Sequence, residues 1–542
     1  MFSLIILYAT YVIHARAQFT GLVVHNTQIS NEIQGTRKRE FPNMAHPAPT
    51  RALNKLPARV STRKANANVQ KYDADSSAPD PEAVTIQTRP ETHAMNKPVS
   101  RYTSEVSAGK PRHIFLRPEI RARQKVSRVP VSRTSPSKEG SFSLSVTWKL
   151  PVGCDFSGFF LEVLGYLVAL EGKVPNLGVD MGTCSEEMFG MLAPQEAEIL
   201  RRVTLRARTV PHADVLILHT PPRDYATHTP TQRPKFVVGR SMTEALKLPP
   251  QEAVDSRTVD QVWVPTTWHR NVYVDAGVEA SKVVVVPEAV DVDFFDPEAA
   301  VAATHRRQPV EGVAVPDRVH EAGQRRRFVF FSVFKFEFRK GWDVLLKAFW
   351  AEFLGEGKNQ ADVELVIRSY RPSWEPGPKD ITVTMDEVAS RWQGKGMTQL
   401  AKVTWLKDDL SRAELRDQYL LADAFVLPTR GEGWGLPVVE AMSMALPVIV
   451  TNFSGPTEYI TEENAYPLSY KGVDSAGRCK PDGMDLQRLM RRVFDNREEA
   501  RQKGERARQD MVMHFGPSVV GDIVLSSLNN LVSMDTASTV DS

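Results

Sequence analysis

The stretch Ala422–Gly455, ADAFVLPTRGEGWGLPVVEAMSMALPVIVTNFSG, decides the fold of this chain. Its apolar run Ala424–Leu427 predicts a buried parallel strand. Pro428–Leu436 contains three glycines and predicts a loop, and proline at a first helical position then predicts a short helix over Pro437–Ala445. Val448–Thr451 is a second β-branched run, so the predicted order is strand, loop, helix, strand.

This arrangement suits a phosphorylated ligand. A glycine-rich loop that leads into a helix presents free backbone N–H groups and a partial positive charge, both of which favour phosphate. Glu432 lies in the loop and Glu440 in the helix. A carboxylate repels phosphate, but it accepts hydrogen bonds from sugar hydroxyls, as the acidic residue of a dinucleotide-binding fold does for ribose. The pattern predicts a nucleotide diphosphate site between two carboxylates; the alternative is an ordinary βαβ unit with an acidic residue in its first helical turn.

The segment EGWGLPVVEAM, followed by LPVIVTNFSGPTEYI, resembles the donor site of retaining GT-B glycosyltransferases. The resemblance is strongest to glycosyltransferase family 4 of the glycosyl transferases group 1, whose pattern of two glutamates separated by seven residues is matched by Glu432 and Glu440. It implies an α/β protein of GT-B architecture, with two Rossmann-like domains facing a cleft. It also implies a nucleotide diphosphate sugar as donor, with no further cofactor and no metal.

A basic loop lies upstream, after the strongly β-prone run Phe328–Phe334. Lys335, Arg339 and Lys340 fall between this predicted strand and the helix that follows Gly341. Three cations at the carboxyl end of a strand would neutralise a diphosphate; the alternative is a solvated basic loop. The resemblance implies a basic pair here: Lys340 aligns with the family's lysine before glycine, and Lys335 falls where the family often has arginine, a place that Arg339 could take instead.

In the first half of the ordered chain, predicted strands and helices alternate in the same way. A strand over 143–150, a small-residue loop with Gly158 and a helix over Phe159–Leu170 predict the start of a Rossmann-like domain. His219 ends a buried strand, where ligands bind in such sheets, although a histidine there is more often a capped structural residue. The resemblance makes Arg240 and Glu244 candidates for residues on the cleft.

The last step of this predicted domain contains a possible metal motif. The resemblance places a turn at Pro287–Asp291, where the family usually has Asn-Gly and this chain has Glu288-Ala289. Asp291-Val292-Asp293 forms a D-x-D pattern, but its position after a domain-ending strand favours a turn over a metal site.

Composition sets broad limits. The chain has 542 residues, enough for two or three domains, with a net charge of +3 that indicates little about partners. The three cysteines are too few for a disulfide framework, although Cys154 and Cys184 could pair in an oxidising compartment. The apolar start, residues 1–24, predicts a signal peptide or anchor and hence favours the secretory pathway or Golgi, while an organelle or the cytoplasm stays open.

Residues 25–140 are rich in Ser, Pro and basic side chains and show no lasting hydrophobic period, which predicts disorder. The segment is interpreted as a tolerated extension, a membrane-spacing stem, a targeting region, or a basic arm for nucleic acid or anionic lipid. The predicted domains that follow are an acceptor-side domain over 141–297, a linker over 298–327, a nucleotide-sugar-binding domain over 328–515, and a helix and tail over 516–542.

The sequence therefore predicts a glycosyltransferase that moves a hexose with retention and without metal to an unknown acceptor. Membrane association through the N-terminus is open, and nucleic acid is not expected as a partner. The alternative is a catalytically inactive relative that uses its basic N-terminal arm on nucleic acid or anionic membrane. The predicted catalytic residues are Lys335, Lys340, Glu432 and His219. The predicted donor-binding residues are Gly158, Arg339, Thr429, Gly431, Gly433, Trp434, Gly435, Leu436, Glu440 and Thr457.

Overall fold

The computed structural model describes residues 144–154, 157–209, 212–306, 327–353, 363–378, 380–393, 400–406 and 410–540. The predictions for the apolar start and for the segment over 25–140 lie outside these residues. Most of the predicted linker also lies outside the described residues, but its beginning is described and is helical.

The first half of the described chain forms a six-stranded parallel sheet with the order β2-β1-β3-β4-β5-β6. Most strand residues of this sheet are buried, as expected for a sheet covered on both faces. The strands are β1 (Val146–Lys149), β2 (Leu177–Asp180), β3 (Val215–His219), β4 (Phe236–Arg240), β5 (Gln261–Val264) and β6 (Val283–Val285).

Helices cover this sheet. The helix after β1 begins where the Ser157 hydroxyl accepts a hydrogen bond from the backbone N–H of Phe160, a side-chain cap that satisfies a free helix donor. The helices are α1 (Gly158–Leu170), α2 (Glu186–Met191), α3 (Pro194–Thr209), α4 (Tyr225–His228), α5 (Pro250–Asp255) and α6 (Thr267–Asp275). A disulfide joins Cys154 to Cys184, the pair that the sequence allowed, and ties the loop after β1 to the loop after β2.

The second half forms another six-stranded parallel sheet, with the order β12-β11-β10-β7-β8-β9. Its phenylalanine-rich β7 lies at the centre of the larger hydrophobic core. The strands are β7 (Phe328–Lys335), β8 (Val363–Tyr370), β9 (Lys402–Leu406), β10 (Ala424–Leu427), β11 (Val448–Thr451) and β12 (Tyr466–Leu468). A small antiparallel hairpin follows, formed by β13 (Tyr470–Val473) and β14 (Cys479–Pro481).

The helices of the second half alternate with its strands. They are α7 (Pro297–Arg306), α8 (Trp342–Glu352), α9 (Ile381–Gln393), α10 (Arg412–Leu421), α11 (Leu436–Ser443), α12 (Gly483–Asp495), α13 (Arg497–His514) and α14 (Pro517–Val540). α7 occupies the start of the segment interpreted as a linker. Ser411 and Glu414 form the capping box that begins α10, because each side chain bonds the other residue's backbone N–H.

The last helix, α14, returns to the first sheet. Its apolar residues Val520, Val524 and Leu528 belong to the hydrophobic core of the first half. Gly521 lies directly on the carbonyl oxygen of Ala169 in α1, an approach that leaves no room for a side chain. By length and composition alone, the helical stretch Arg497–Ser533 would suffice to cross a membrane; the same properties are common in core helices, and α14 packs as one.

Gly341 lies where two loops of the second domain pack closely against each other. We expect Gly341→Ala to lower the free energy of unfolding by about 3 kcal/mol, against about 1 kcal/mol for Gly172→Ala. Both glycines have left-handed backbones, with φ of 73° and 75°, where a side chain is strained. A methyl group at position 341 would also collide with the Pro428 carbonyl, whereas nothing lies within 4 Å at position 172. Urea unfolding of the two variants measures the difference, and equal losses would contradict the packing argument.

Candidate active site

Two loops meet at the carboxyl edge of the second sheet. β10 and β7 are adjacent and parallel, so the loop after β10 lies beside the loop after β7. The first loop, Pro428–Gly435, leads into α11. The second contains the single 3-10 turn Phe338–Lys340, which precedes α8. Ligands of open α/β sheets bind at this edge.

Arg339, Lys340 and Glu432, called here the cationic cluster, join these loops. The Lys340 Nζ atom donates to both carboxylate oxygens of Glu432, at 2.8 and 2.7 Å. An Arg339 Nη1 atom lies 3.6 Å from the same carboxylate and donates to the Gly431 carbonyl at 2.7 Å. All three side chains are mostly buried.

The charges of this cluster are strongly coupled. Burial alone would raise the pKa of Glu432, but the charges of Lys340 and Arg339 outweigh it and hold the pKa below its usual value. Burial and the neighbouring Arg339 charge lower the pKa of Lys340, against the opposing effect of Glu432. Glu432 is therefore an anion held by two cations, and an incoming diphosphate would compete with it for them.

The glycine loop is held by its own polar groups. The Thr429 hydroxyl lies 3.1 Å from the Gly431 carbonyl, and the backbone N–H of Glu432 donates to the Ser454 hydroxyl at 2.9 Å. Gly435 has a φ of 102°, which allows the sharp entry into α11. These contacts fix the direction of the Glu432 side chain before any ligand binds.

Lys335 lies elsewhere, although it was predicted as a catalytic cation. Its ammonium is 4.9 Å from the centre of the Trp374 ring, a cation–π contact outside the cationic cluster. Lys335 is still part of β7, whereas the 3-10 turn redirects the chain before Arg339 and Lys340. Arg339, named as the substitute, is the residue that stands beside Lys340.

Glu440, predicted to bind the donor, has a different environment from Glu432. Its carboxylate accepts a hydrogen bond from the Tyr419 hydroxyl at 2.8 Å. It lines a cavity of about 30 Å³ between the two sheets, together with side chains that include Leu161 of α1 and Arg412 of α10. Lys340 does not line this cavity, which has room for about one water molecule and not for a nucleoside.

Burial of Glu440 should make the free energy of unfolding depend on pH, because it raises the pKa of this carboxyl from 4.5 to about 7. The unfolded chain loses its proton at lower pH than the folded chain, so stability is lost as the pH rises from 4.5 to 7. As the pH rises from 5 to 8, we expect the free energy of unfolding of Glu440→Gln to increase by about 2 kcal/mol relative to that of the parent chain. Urea unfolding at both pH values tests this, and a pH-independent difference would contradict it.

The other predicted donor-binding residues have varied environments. Trp434 is a core residue: it is 2% exposed and packs edge-on against Tyr459 and Phe515, so its ring does not face an open cleft. The Thr457 hydroxyl donates to the Ser454 carbonyl at 2.7 Å. Gly158 is an exposed first residue of α1, and Leu436 lines the small interdomain cavity.

His219 belongs to a buried ion cluster of the first domain, together with Glu162 and Arg240. The Arg240 Nε atom donates to Glu162 at 2.6 Å, and the Nε2 atom of His219 lies 3.0 Å from the same carboxylate. The Trp148 indole N–H donates to Nδ1 of His219 at 3.2 Å, which assigns the ring proton to Nε2. His219 is 1% exposed, with Nδ1 bonded to Trp148 and Nε2 beside Glu162, so its ring does not reach an open surface in this structure.

Sequence reasoning missed Glu162 and did not connect it with Arg240. Burial would raise the pKa of Glu162, but Arg240 and His219 outweigh it and lower the pKa. The signal was a charged residue on the apolar helix α1, FFLEVLGYLVAL, which requires a buried partner. Its partner lies 78 residues away, and a single sequence offers no means to pair them.

A segment of the first domain, Ser241–Leu246, covers the glycine loop of the second. A side chain at Gly431 would collide with the Glu244 carbonyl, and one at Gly433 with the Met242 sulfur. Glu244 also lies 3.5 Å from Arg339. His269 fixes this covering segment because its Nε2 atom lies 2.8 Å from the Thr243 carbonyl.

The D-x-D pattern forms a turn, as interpreted, since Asp291 accepts a hydrogen bond from the backbone N–H of Phe294 at 2.9 Å. Among the residues that the structure describes, no group of three His, Cys, Asp or Glu side chains is arranged to hold a metal ion.

Fold and site together define a two-domain α/β protein with a cationic, glycine-rich loop site on the cleft side of its second domain. Residues 325–474, which contain this site, match the sequence model of glycosyl transferases group 1.

Curated proteins match over parts of their length. D-inositol 3-phosphate glycosyltransferase from Kineococcus radiotolerans is 27% identical over 216 residues, which are 40% of this chain and 44% of that protein. Sucrose synthase 6 from Oryza sativa subsp. japonica is 34% identical over 96 residues, which are 15% of this chain and 11% of that protein. The matches thus span less than half the length of these relatives.

Solved structures match over most of the described chain. The crystal structure of Anabaena HepE in complex with UDP-glucose has a TM-score of 0.51 at 13% identity and covers 72% of this chain and 100% of its own. Sucrose-phosphate synthase from Thermosynechococcus elongatus has a TM-score of 0.50 at 14% identity, with the same coverage. The chain has the GT-B fold of these structures, and its residues 325–474 match the sequence model of glycosyl transferases group 1. The predicted fold class and resemblance are confirmed.

Proposed function

We propose that this protein is a family 4 glycosyltransferase that moves a hexose from a nucleotide diphosphate sugar to an acceptor hydroxyl. The observation that carries the proposal is the cationic cluster, in which Arg339 and Lys340 converge on Glu432 at the glycine loop. Retention of anomeric configuration and independence of metal and of further cofactors are part of the proposal, since both are implied by the resemblance.

The cluster suits the departure of a diphosphate. As the bond between sugar and phosphate breaks, negative charge grows on the leaving oxygen, and cations already in place stabilise it without reorganisation. Lys340 would exchange its bond to Glu432 for one to the phosphate, which frees the carboxylate to accept a hydrogen bond from a sugar hydroxyl. The backbone N–H groups at the start of α11 would add further donors.

The covering segment makes this exchange depend on domain movement. In the structure it occupies the space directly above Gly431 and Gly433, and the cavity beside Glu440 has room for about one water molecule. The nucleotide would therefore enter after the two domains separate, which would also open the space beside Glu440 to the ribose. Closure onto bound donor would exclude water from the reacting bond.

The direct test is binding and turnover of a panel of nucleotide sugars by the full chain. UDP-glucose is the first donor to try, because HepE holds it in the same fold. A true ligand at about 100 times its Kd raises the free energy of unfolding by about 2.7 kcal/mol, which a thermal shift detects. Hydrolysis or transfer of any one donor supports the proposal. If no nucleotide binds while polyanions do, the chain is an inactive relative that acts through its basic N-terminal arm.

A further inference from the structure

The two domains are bonded to each other at the start of α6. Thr267 is the first residue of α6 in the first domain, and Glu458 ends a 3-10 turn of the second domain, Gly455–Glu458. The backbone N–H of Thr267 donates to one carboxylate oxygen of Glu458 at 2.9 Å, and the Thr267 hydroxyl donates to the other at 3.3 Å. These bonds cross the cleft, so they exist only while the two domains lie together.

Helix α6 does not need Glu458 in order to begin. Its own N-cap is Thr266, whose hydroxyl accepts a hydrogen bond from the backbone N–H of His269 at 3.1 Å. The N–H of Thr267 is a further donor of the first helical turn, which water could satisfy in an open cleft. The bond to Glu458 therefore contributes to the closed arrangement of the domains and not to the start of the helix.

Helix α6 connects this contact to the glycine loop. His269, one turn into the helix, is fully buried, and its Nε2 atom lies 2.8 Å from the Thr243 carbonyl of the covering segment. The covering segment in turn lies directly on Gly431 and Gly433. A continuous series of contacts thus leads from Glu458, through α6, to the candidate donor site.

The Glu458 carboxylate depends on Thr267 for its hydrogen bonds. Burial raises the pKa of Glu458, and the two bonds from Thr267 act in the opposite direction and lower it. When the domains separate, the carboxylate loses both donors, and water has to replace them. Among the described contacts, this pair is therefore one that opposes opening of the cleft.

Two further contacts lie across the cleft in the same region. The ring of Trp268 in α6 packs edge-on against Phe453 of the second domain, with ring centres 5.6 Å apart. The backbone N–H of Leu246, in the covering segment, donates to the Gly477 carbonyl at 3.0 Å. These contacts do not involve Glu458, so its removal should weaken closure without abolishing it.

We infer that Glu458 is a positioning residue that holds the cleft closed. By bonding the start of α6 from the other domain, it keeps the covering segment on the glycine loop. In the ligand-free chain the contact restrains entry of the donor, and with donor bound it keeps the closed domains together. The inference rests on the proposed function for the identity of the ligand, whereas the contact between the domains does not depend on it.

Hydrogen exchange of the ligand-free full chain tests the contact. We expect Glu458→Ala to speed exchange of the backbone amides of residues 431–433 about tenfold, because the cleft opens more often. Amides of residues 520–528 in α14 should exchange as in the parent chain, since the first domain itself stays folded. A loss of overall stability would speed exchange in both places.

Thr267→Pro breaks the same contact from the other side. Proline lacks the N–H that binds Glu458, yet it suits the first position of a helix. The preceding residue, Thr266, already has the extended backbone that proline requires, with φ of −142° and ψ of 160°. We expect the same tenfold increase over residues 431–433, and the double variant should exchange no faster than either single variant.

Two control variants complete the exchange experiment. Glu458→Gln keeps an oxygen that accepts from the Thr267 N–H, so exchange over residues 431–433 should stay within about threefold of the parent rate. Glu462→Ala removes an exposed carboxylate four residues later and should leave exchange unchanged.

Stopped-flow binding of UDP-glucose, or of the donor that the panel selects, measures the consequence for the ligand. In Glu458→Ala, both the association and the dissociation rate constants should rise about tenfold, because the donor enters and leaves through the open cleft. The Kd should stay within about threefold, since the contact holds the closed cleft both without and with donor. A residue that bound the donor directly would change the Kd instead.

The outcomes separate the two proposals. Unchanged exchange over residues 431–433 in Glu458→Ala and Thr267→Pro, or an increase that extends to residues 520–528, overturns the role of Glu458 while leaving transfer intact. A weaker Kd without faster association overturns it as well. If one variant does not fold, the other decides, because the two substitutions lie in different domains. Absence of binding and turnover for every nucleotide sugar overturns the proposed function, and hydrogen exchange still decides on the contact.

Discussion

Lys340→Ala is expected to lower kcat/KM for sugar transfer about 100- to 1,000-fold, which is typical of losing one preorganised group that stabilises transition-state charge. The lysine is buried against Glu432 and stands where the leaving phosphate would be held. Arg339 remains 3.6 Å from Glu432 in the variant, so the carboxylate keeps one cation and the fold should survive. Steady-state kinetics with the best donor of the panel give the number, and circular dichroism checks the fold.

Lys335→Ala is the matched control. It removes the same side chain five residues earlier, where the ammonium lies over the exposed Trp374 ring instead of on Glu432. We expect kcat/KM to stay within about threefold of the parent value, because a cation–π contact at the surface contributes little. Equal losses in both variants would show that the basic loop acts as a diffuse positive field, and no loss in either would remove Lys340 from the reaction.

Arg240→Met should produce the largest loss of stability, about 3–5 kcal/mol in the free energy of unfolding. The substitution leaves Glu162 buried at 1% exposure without the guanidinium that bonds it at 2.6 Å. It also removes the donor to the Val286 carbonyl. Urea unfolding at neutral pH measures the loss.

Two further variants separate the causes of that loss. The double variant Arg240→Met, Glu162→Gln should recover part of the stability, because it removes the unpaired charge. Arg201→Ala breaks an exposed pair with Glu186 and should cost at most about 1 kcal/mol. A single Arg240→Met variant as stable as this surface control would mean that water reaches Glu162.

Local patterns predicted the framework well. The strands at Ala424–Leu427 and Val448–Thr451 lie where their apolar runs place them, and α11 begins at Leu436, one residue before the expected proline. These features depend on hydrophobic period, proline and glycine within one segment, so a single sequence contains the information.

The partners of the site residues could not be predicted in the same way. Lys335 and Arg339 belong to one basic segment of the sequence, and only the 3-10 turn decides which of them reaches Glu432. The lowered pKa of Glu162 depends on Arg240, which approaches it from another strand. Such pairings depend on the order of strands in the sheet and on the crossing of chain segments, which no local pattern specifies.

The chain passes between the two sheets twice, once after β6 and once before α14. The two crossings are bonded to each other, because the backbone N–H of Val290 donates to the Phe515 carbonyl at 2.9 Å. Because the chain crosses between the domains at these neighbouring places, a rotation of one domain about them would move the parts near this hinge least and the most distant parts furthest. The packing of α14 on α1 can then persist as the cleft opens. The contacts of the covering segment with Gly431 and Gly433, which lie far from the hinge, would separate most.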